Sequence, residues 1–125
     1  MAASYGHVEI VKLMLAYPNV NVNTRNQRRM TPLLLAAFKG LEPVVRVLLQ
    51  DPRIDANARD ASGATALIGS AHRDRVDVVR LLLSMDRLDV NAQDGRGWTA
   101  LGRAASRSHV EVVRVLLADG RVDVN

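Results

Sequence analysis

The chain has 125 residues, no cysteine and a net charge of +4 from 17 basic and 13 acidic side chains; this bounds it to one small domain and excludes a disulfide framework or a thiolate metal site. Its only aromatics are Tyr5, Tyr17, Phe38 and Trp98, so the core has to be aliphatic. Met1 to Leu15 carries His7, Glu9 and Lys12, a poor match to a secretion signal, and no apolar run approaches a membrane span. The lack of cysteine suits a reducing intracellular compartment, cytoplasmic or nuclear.

One pattern returns every 34 residues: Thr31, Thr65 and Thr99; Asn23, Asn57, Asn91 and Asn125; Val11-Lys12, Val45-Arg46, Val79-Arg80 and Val113-Arg114. Such a period predicts a stacked repeat. It divides the chain, read as a single array over 1–125, into a partial first unit over 1–24 and units over 25–58, 59–92 and 93–125. The first unit begins at Ala2-Ala3, partway through its first helix, turns at Gly6-His7 and carries a second helix with Glu9 and Lys12. In the second, Thr31 caps a helix that has Pro32 at its first position, where the missing N–H costs nothing. The third has Gly69 and Ser70 inside its first helix. Glycine there costs about 1 kcal/mol relative to alanine, so this unit is expected to be the softest. The fourth opens on the turn Asp94-Gly95-Arg96-Gly97, and Thr99 caps a helix from about Ala100 to Ser106 with Leu101, Ala104 and Ala105 on one narrow face. After a break at Arg107-Ser108, a second helix runs from about Val110 to Ala118, with Val112, Val113, Leu116 and Leu117 as its buried stripe. Asp119-Gly120 ends it, and Asp123-Val124-Asn125 leads out. One unit cannot bury its own apolar face; stacked units can.

The segments Met30-Thr31-Pro32-Leu33-Leu34-Leu35-Ala36-Ala37, Gly6-His7-Val8-Glu9-Ile10-Val11-Lys12-Leu13 and Ser108-His109-Val110-Glu111-Val112-Val113-Arg114-Val115-Leu116-Leu117 resemble the ankyrin repeat family over essentially the whole chain. The resemblance implies an all-α solenoid of stacked helix-turn-helix units with projecting β-turn fingers. It also implies a concave groove, lined by fingers and first helices, that binds other proteins. The extra residue in each exit, as in Asp51-Pro52-Arg53-Ile54-Asp55-Ala56-Asn57, resembles arrays of filamentous fungi. The sequence departs from the family pattern in places. Its histidine after Thr-Pro-Leu is replaced by Leu34, Ile68 and Gly102, its proline by Ala66 and Ala100, and its inter-helix glycine, kept as Gly6 and Gly40, by Asp74 and Ser108. A positive φ at those last two positions would strain Ser108 more than Asp74. Neither end shows a dedicated polar capping unit. An excerpt of a longer array, able to self-associate end to end, is the expectation.

Little in the sequence points to chemistry. His7, His72 and His109 are the only histidines, none paired at metal-ligand spacing, so neither a metal nor a cofactor is expected. His72-Arg73-Asp74 spells the core of a kinase catalytic loop, but no glycine-rich loop or Asp-Phe-Gly accompanies it. The copies differ instead at finger tips and first-helix ends, which the family geometry turns toward the groove. Those positions hold Arg25, Gln27, Arg28, Met30, Phe38, Lys39, Arg59, Ser62, Ala64, His72, Arg73, Arg96, Trp98, Ser106 and Arg107. The leading reading is a non-catalytic interaction module. Its basic groove would take an acidic protein or peptide segment, with Trp98, Phe38 and Met30 as apolar anchors. Trp98 covering the neighbouring finger is the alternative for that residue. Arg46, Arg80, Arg114 and Lys12 form a second basic row, and Glu42, Asp77, Glu111 and Glu9 stand three or four residues earlier to pair with them. Nucleic-acid binding is disfavoured because aromatic stacking platforms are nearly absent. A small-molecule or catalytic site at His72, Arg73, Asp74 and Arg107, or a structural sensor array within a larger protein, are the competing readings.

Overall fold

The computed structural model describes residues 2–124, with side chains from His7 onward. The described helices are α1 (Ala2–Leu15), α2 (Pro32–Lys39), α3 (Glu42–Leu49), α4 (Ala66–His72), α5 (Val76–Leu83), α6 (Ala100–Ser106) and α7 (Val110–Ala118), and no strand occurs among the described residues. They form two layers. Helices α2, α4 and α6 pack in sequence in one layer, and α1, α3, α5 and α7 in the other, while α2–α3, α4–α5 and α6–α7 pair as hairpins. The chain is an all-α solenoid of stacked helix pairs, and its core is the aliphatic seam between layers, including Leu33, Leu48, Leu67, Leu82, Val45 and Val79.

Each first helix begins at a threonine. The hydroxyls of Thr31, Thr65 and Thr99 accept from the N–H groups of Leu34 (3.2 Å), Ile68 (3.2 Å) and Gly102 (3.1 Å), satisfying donors that a helix start leaves unpaired. Gly40, Asp74 and Ser108 follow the first helices with φ of 71°, 61° and 59°. The next N–H reaches back across the turn, from Leu41 to the carbonyl of Ala36, Arg75 to that of Ser70 and His109 to that of Ala104, at 2.9, 2.9 and 3.0 Å. This left-handed cap closes the helix and aims the second one back along it.

Asparagine joins each exit to the next. Asn23 Nδ2 donates to the carbonyl of Arg53 (2.8 Å) and its Oδ1 accepts from Asp55 N–H (2.9 Å). Asn57 repeats both bonds with Arg87 and Asp89 (2.9 and 2.8 Å), as does Asn91 with Arg121 and Asp123 (2.9 and 2.6 Å). The fourth asparagine of the series, Asn125, lies outside the described residues. Arginine adds a second tie: Arg53 donates to the carbonyls of Leu15 (2.8 Å) and Tyr17 (3.3 Å), and Arg121 to those of Leu83 (2.6 Å) and Met85 (2.9 Å). Both caps serve the helix of the preceding pair.

Three expectations are corrected. The expected break at Gly6-His7 is absent, since α1 is one helix over Ala2–Leu15; α1 packs chiefly on α3, and its packing on α2 is too slight to fold the chain back there. The α7 stripe is buried only at Val112 and Leu116; Val113 is half-buried and Leu117 is 52% exposed, because α7 packs on α5 and α6 from one side. Ala105 is exposed for the same reason on α6. The outer basic row behaves as expected. Lys12–Glu9, Arg80–Asp77 and Arg114–Glu111 lie at 4.0, 3.9 and 3.5 Å, Arg46 pairs with Glu42, and Arg80 also reaches Glu111 of the next pair at 3.4 Å.

Candidate functional site

The turn fingers precede α2, α4 and α6, and a polar side chain organises each. Asn26 Oδ1 accepts from the N–H groups of Arg28 (2.9 Å) and Met30 (3.1 Å). Asp60 Oδ1 accepts from Ser62 N–H (2.9 Å), Ser62 Oγ–H (2.6 Å) and Ala64 N–H (3.0 Å), and Asp94 Oδ1 from Arg96 (2.9 Å) and Trp98 (3.0 Å). An Asx-type turn needs only the acceptor oxygen, so Asn26 keeps the geometry and removes the charge.

Between the first two fingers and α2 lies a cleft of about 560 Å³. Met30, Leu35 and Phe38 give it apolar walls; Arg28, Lys39 and Arg73 bring three positive charges against the one acid, Asp60. Seven of the residues expected in the groove, Gln27, Arg28, Met30, Phe38, Lys39, Ser62 and Arg73, thus line one concavity. Phe38, expected as an apolar anchor, is instead only 8% exposed. Its ring lies against Gly69 of α4, and the Arg73 guanidinium covers it at 4.4 Å from the centroid. Arg73 also donates to the carbonyl of Gly69 at 3.2 Å. Arg73 is therefore held in place and presents a fixed charge at the cleft wall.

Beyond Phe38 and Arg73 a smaller polar hollow of about 210 Å³ is lined by His72, Asp60, Asp94 and Arg103 among others. Arg103 forks onto Asp94 Oδ2 with Nε at 3.0 Å and Nη2 at 2.6 Å. The Asp94 side chain is 5% exposed. Burial works to raise its pKa, but the Arg103 hydrogen bonds, the Trp98 and Arg96 N–H groups and the Arg103 charge outweigh it, and the carboxyl sits below its ordinary value. His72 goes the other way for a base. Burial first, then the charges of Arg107, Arg103 and Arg73 and the neighbouring His109, lower its pKa, so at neutral pH it adds no charge to the groove. Its Nδ1 is buried without a hydrogen-bond partner, while its carbonyl lies 3.0 Å from His109 Nε2. Asp74 faces His109 Nδ1 at 3.8 Å. Among the described residues no group of three or more His, Cys, Asp or Glu side chains could hold a metal ion.

The remaining expected groove residues fall elsewhere. Arg25 and Arg59 line a third concavity, of about 550 Å³, together with Arg29. Trp98 and Arg96 stand on the last finger and line neither the cleft nor the hollow. The Trp98 indole is 39% exposed and lies over its own helix α6, against Gly102 and with the Arg103 guanidinium 5.1 Å from the ring centroid. It covers its own helix. Arg107 is exposed at the end of α6, close enough to act on His72.

Two residues of these surfaces were missed. Arg103 meets Asp94 across nine positions, a spacing that no motif announces. Arg29 was signalled: it stands where the period places Gly63 and Gly97, and all three have positive φ, of 62°, 83° and 83°. A family model described as ankyrin repeats, in three copies, matches the chain over residues 1–60 and 52–125. No curated protein matches it.

Proposed function

Because the chain belongs to the ankyrin repeat family, whose members in general are protein-interaction modules, we propose that it is a non-catalytic binding module whose site is the cleft between the first two fingers. The observation that carries this reading is the convergence of Met30, Leu35 and Phe38 with Arg28, Lys39 and Arg73 on one concavity of about 560 Å³. An apolar floor rimmed by cations suits a peptide with a central apolar side chain flanked by carboxylates. Arg73 supports it further, because a charge already held by Phe38 and Gly69 loses little freedom on binding. No helix among the described residues is long and apolar enough to cross a membrane.

The test is affinity for a labelled peptide with a central leucine flanked by glutamates. Arg28→Glu and Lys39→Glu both alter exposed side chains on the cleft and should each weaken binding roughly tenfold, because a like charge replaces an attractive one. Arg107→Glu, outside the cleft, should leave affinity nearly unchanged. Equal affinity across all three variants and the wild type sinks the assignment.

A further inference from the structure

We infer that Arg25, Arg29 and Arg59 form a second binding surface, on the flank of the turn fingers, for an acidic peptide segment of a partner. This surface is separate from the cleft: Arg28, Lys39 and Arg73 do not line it, and its lining overlaps that of the cleft only on the second finger, at Asp60, Ala61 and Ser62.

Arg29 is the departure from the repeat that calls for an explanation. Its φ of 62° lies in the left-handed region, where the other two fingers use glycine. A side chain there is disfavoured by contact between Cβ and the following carbonyl. Asp74 and Ser108 carry the same strain at the inter-helix turns, and what sets Arg29 apart is that its strain coincides with two further arginines on one concavity. Arg29 is exposed, and the concavity of about 550 Å³ that it lines also holds Arg25 and Arg59.

The two neighbours are already in position. Arg25 Nη1 donates to the carbonyls of Arg29 (2.8 Å) and Arg59 (2.6 Å). One unit on, Arg59 Nη1 donates to the carbonyls of Gly63 (3.0 Å) and Gln93. Each guanidinium is fixed through a single nitrogen, and its remaining N–H groups make no hydrogen bond to the described residues. An immobilised planar fork with donors to spare suits a carboxylate, and little side-chain freedom is lost when one arrives.

The local charge agrees. The first finger carries Asn26 where the others carry Asp60 and Asp94, so its own turn supplies no acid. Of the two acids on the concavity, Asp60 has Oδ1 engaged by Ser62 and Ala64, and Asp55 has Oδ1 engaged by Asn57 N–H at 3.0 Å. No aromatic residue lines it. A nucleic-acid strand would find phosphate partners but no stacking platform, which favours the peptide.

The test measures binding of fluorescein-labelled octaglutamate to the full chain at low ionic strength, beside thermal unfolding. Arg29→Ala and Arg29→Gly should both weaken binding roughly fivefold, the upper range for one exposed charge pair. Arg29→Lys should retain most of the affinity. Only Arg29→Gly should raise Tm, because glycine alone relieves the left-handed strain. Wild-type affinity in Arg29→Ala, or no binding of octaglutamate by the wild type, overturns the site. Lys39→Glu separates the two surfaces: loss of octaglutamate binding there with none in the Arg29 variants leaves the cleft and removes the flank, and the converse does the reverse. A single-stranded oligonucleotide of equal charge that binds more tightly than octaglutamate, and is released by Arg29→Ala, overturns the peptide assignment.

Discussion

A methyl group on Gly69 would lie 1.9 Å from Cε1 of Phe38. Helix propensity alone favours alanine by about 1 kcal/mol, yet Gly69→Ala should destabilise by about 1–3 kcal/mol, because a ring held between α4 and Arg73 has to move. Pairing it with Phe38→Ala should remove most of the added penalty, a coupling that a double-mutant cycle in denaturant would measure. The sequence exposes Gly69 as a departure from helix-forming composition and suggests a soft unit; the contact that requires the glycine comes from the preceding helix pair and has no local signature. His72 makes a prediction about acid. Its pKa is lowered from 6.5 in the folded chain, by burial and then by Arg107, Arg103 and Arg73. Above that value both states are neutral and nothing is lost. As pH falls below it the unfolded chain binds a proton that the folded chain resists, so stability declines. The Tm difference between wild type and His72→Gln should therefore shift against the wild type between about pH 7 and about pH 5; a constant difference would refute the linkage.

Helix boundaries were legible because each has a local cause. Thr99 and the turn after Arg107 delimit α6 and α7 at the residues the pattern suggests, Ala100–Ser106 and Val110–Ala118. The same pattern failed for α1, where Gly6 has the right identity but α1 packs chiefly on α3 rather than on a neighbouring first helix. Ser108 keeps the left-handed turn at φ 59° without being glycine, so Ser108→Gly should raise stability by about 1 kcal/mol, read as a shift in denaturant midpoint. Of the ties between pairs, the asparagines were visible as a period but not as a bond, because their partners are carbonyls and N–H groups of the following exit. Asn57→Ala deletes the bonds to Arg87 and Asp89 and should cost about 1–2 kcal/mol. Family geometry gives the groove residues a face but not its relief. The fingers split that face, with Arg28 and Met30 on the cleft and Arg25 and Arg59 on the flank.

Among the described helices each pair packs mainly against its neighbours, so position in the stack bears on how much a substitution matters. Leu82 on α5 and its counterpart one period on, Leu116 of α7, are both fully buried, whereas Leu83 on α5, between α3 and α7, is half-buried and its counterpart Leu117 is 52% exposed. Leu82→Ala should cost about 3 kcal/mol and Leu117→Ala under about 1 kcal/mol, and calorimetry on both variants would check the contrast. Ile10, Leu13, Val110 and Leu117 are all more than half exposed, on the outermost helices α1 and α7. The asparagine ties carry a consequence for editing the chain. Each reaches one unit forward, to a carbonyl 30 and an N–H 32 positions on, and Arg25 reaches a carbonyl 34 positions on. Excising residues 59–92 and joining Ala58 to Gln93 would bring Arg25 opposite the carbonyl of residue 93 and Asn57 opposite Arg121 and Asp123, which keeps these ties in register, while Arg103 would take the place of Gly69 against Phe38 and would have to become glycine. Removing one residue more or fewer would leave the ties out of step along the whole downstream edge. The molecule can be shortened or lengthened in whole steps, as a ruler is cut at its marks.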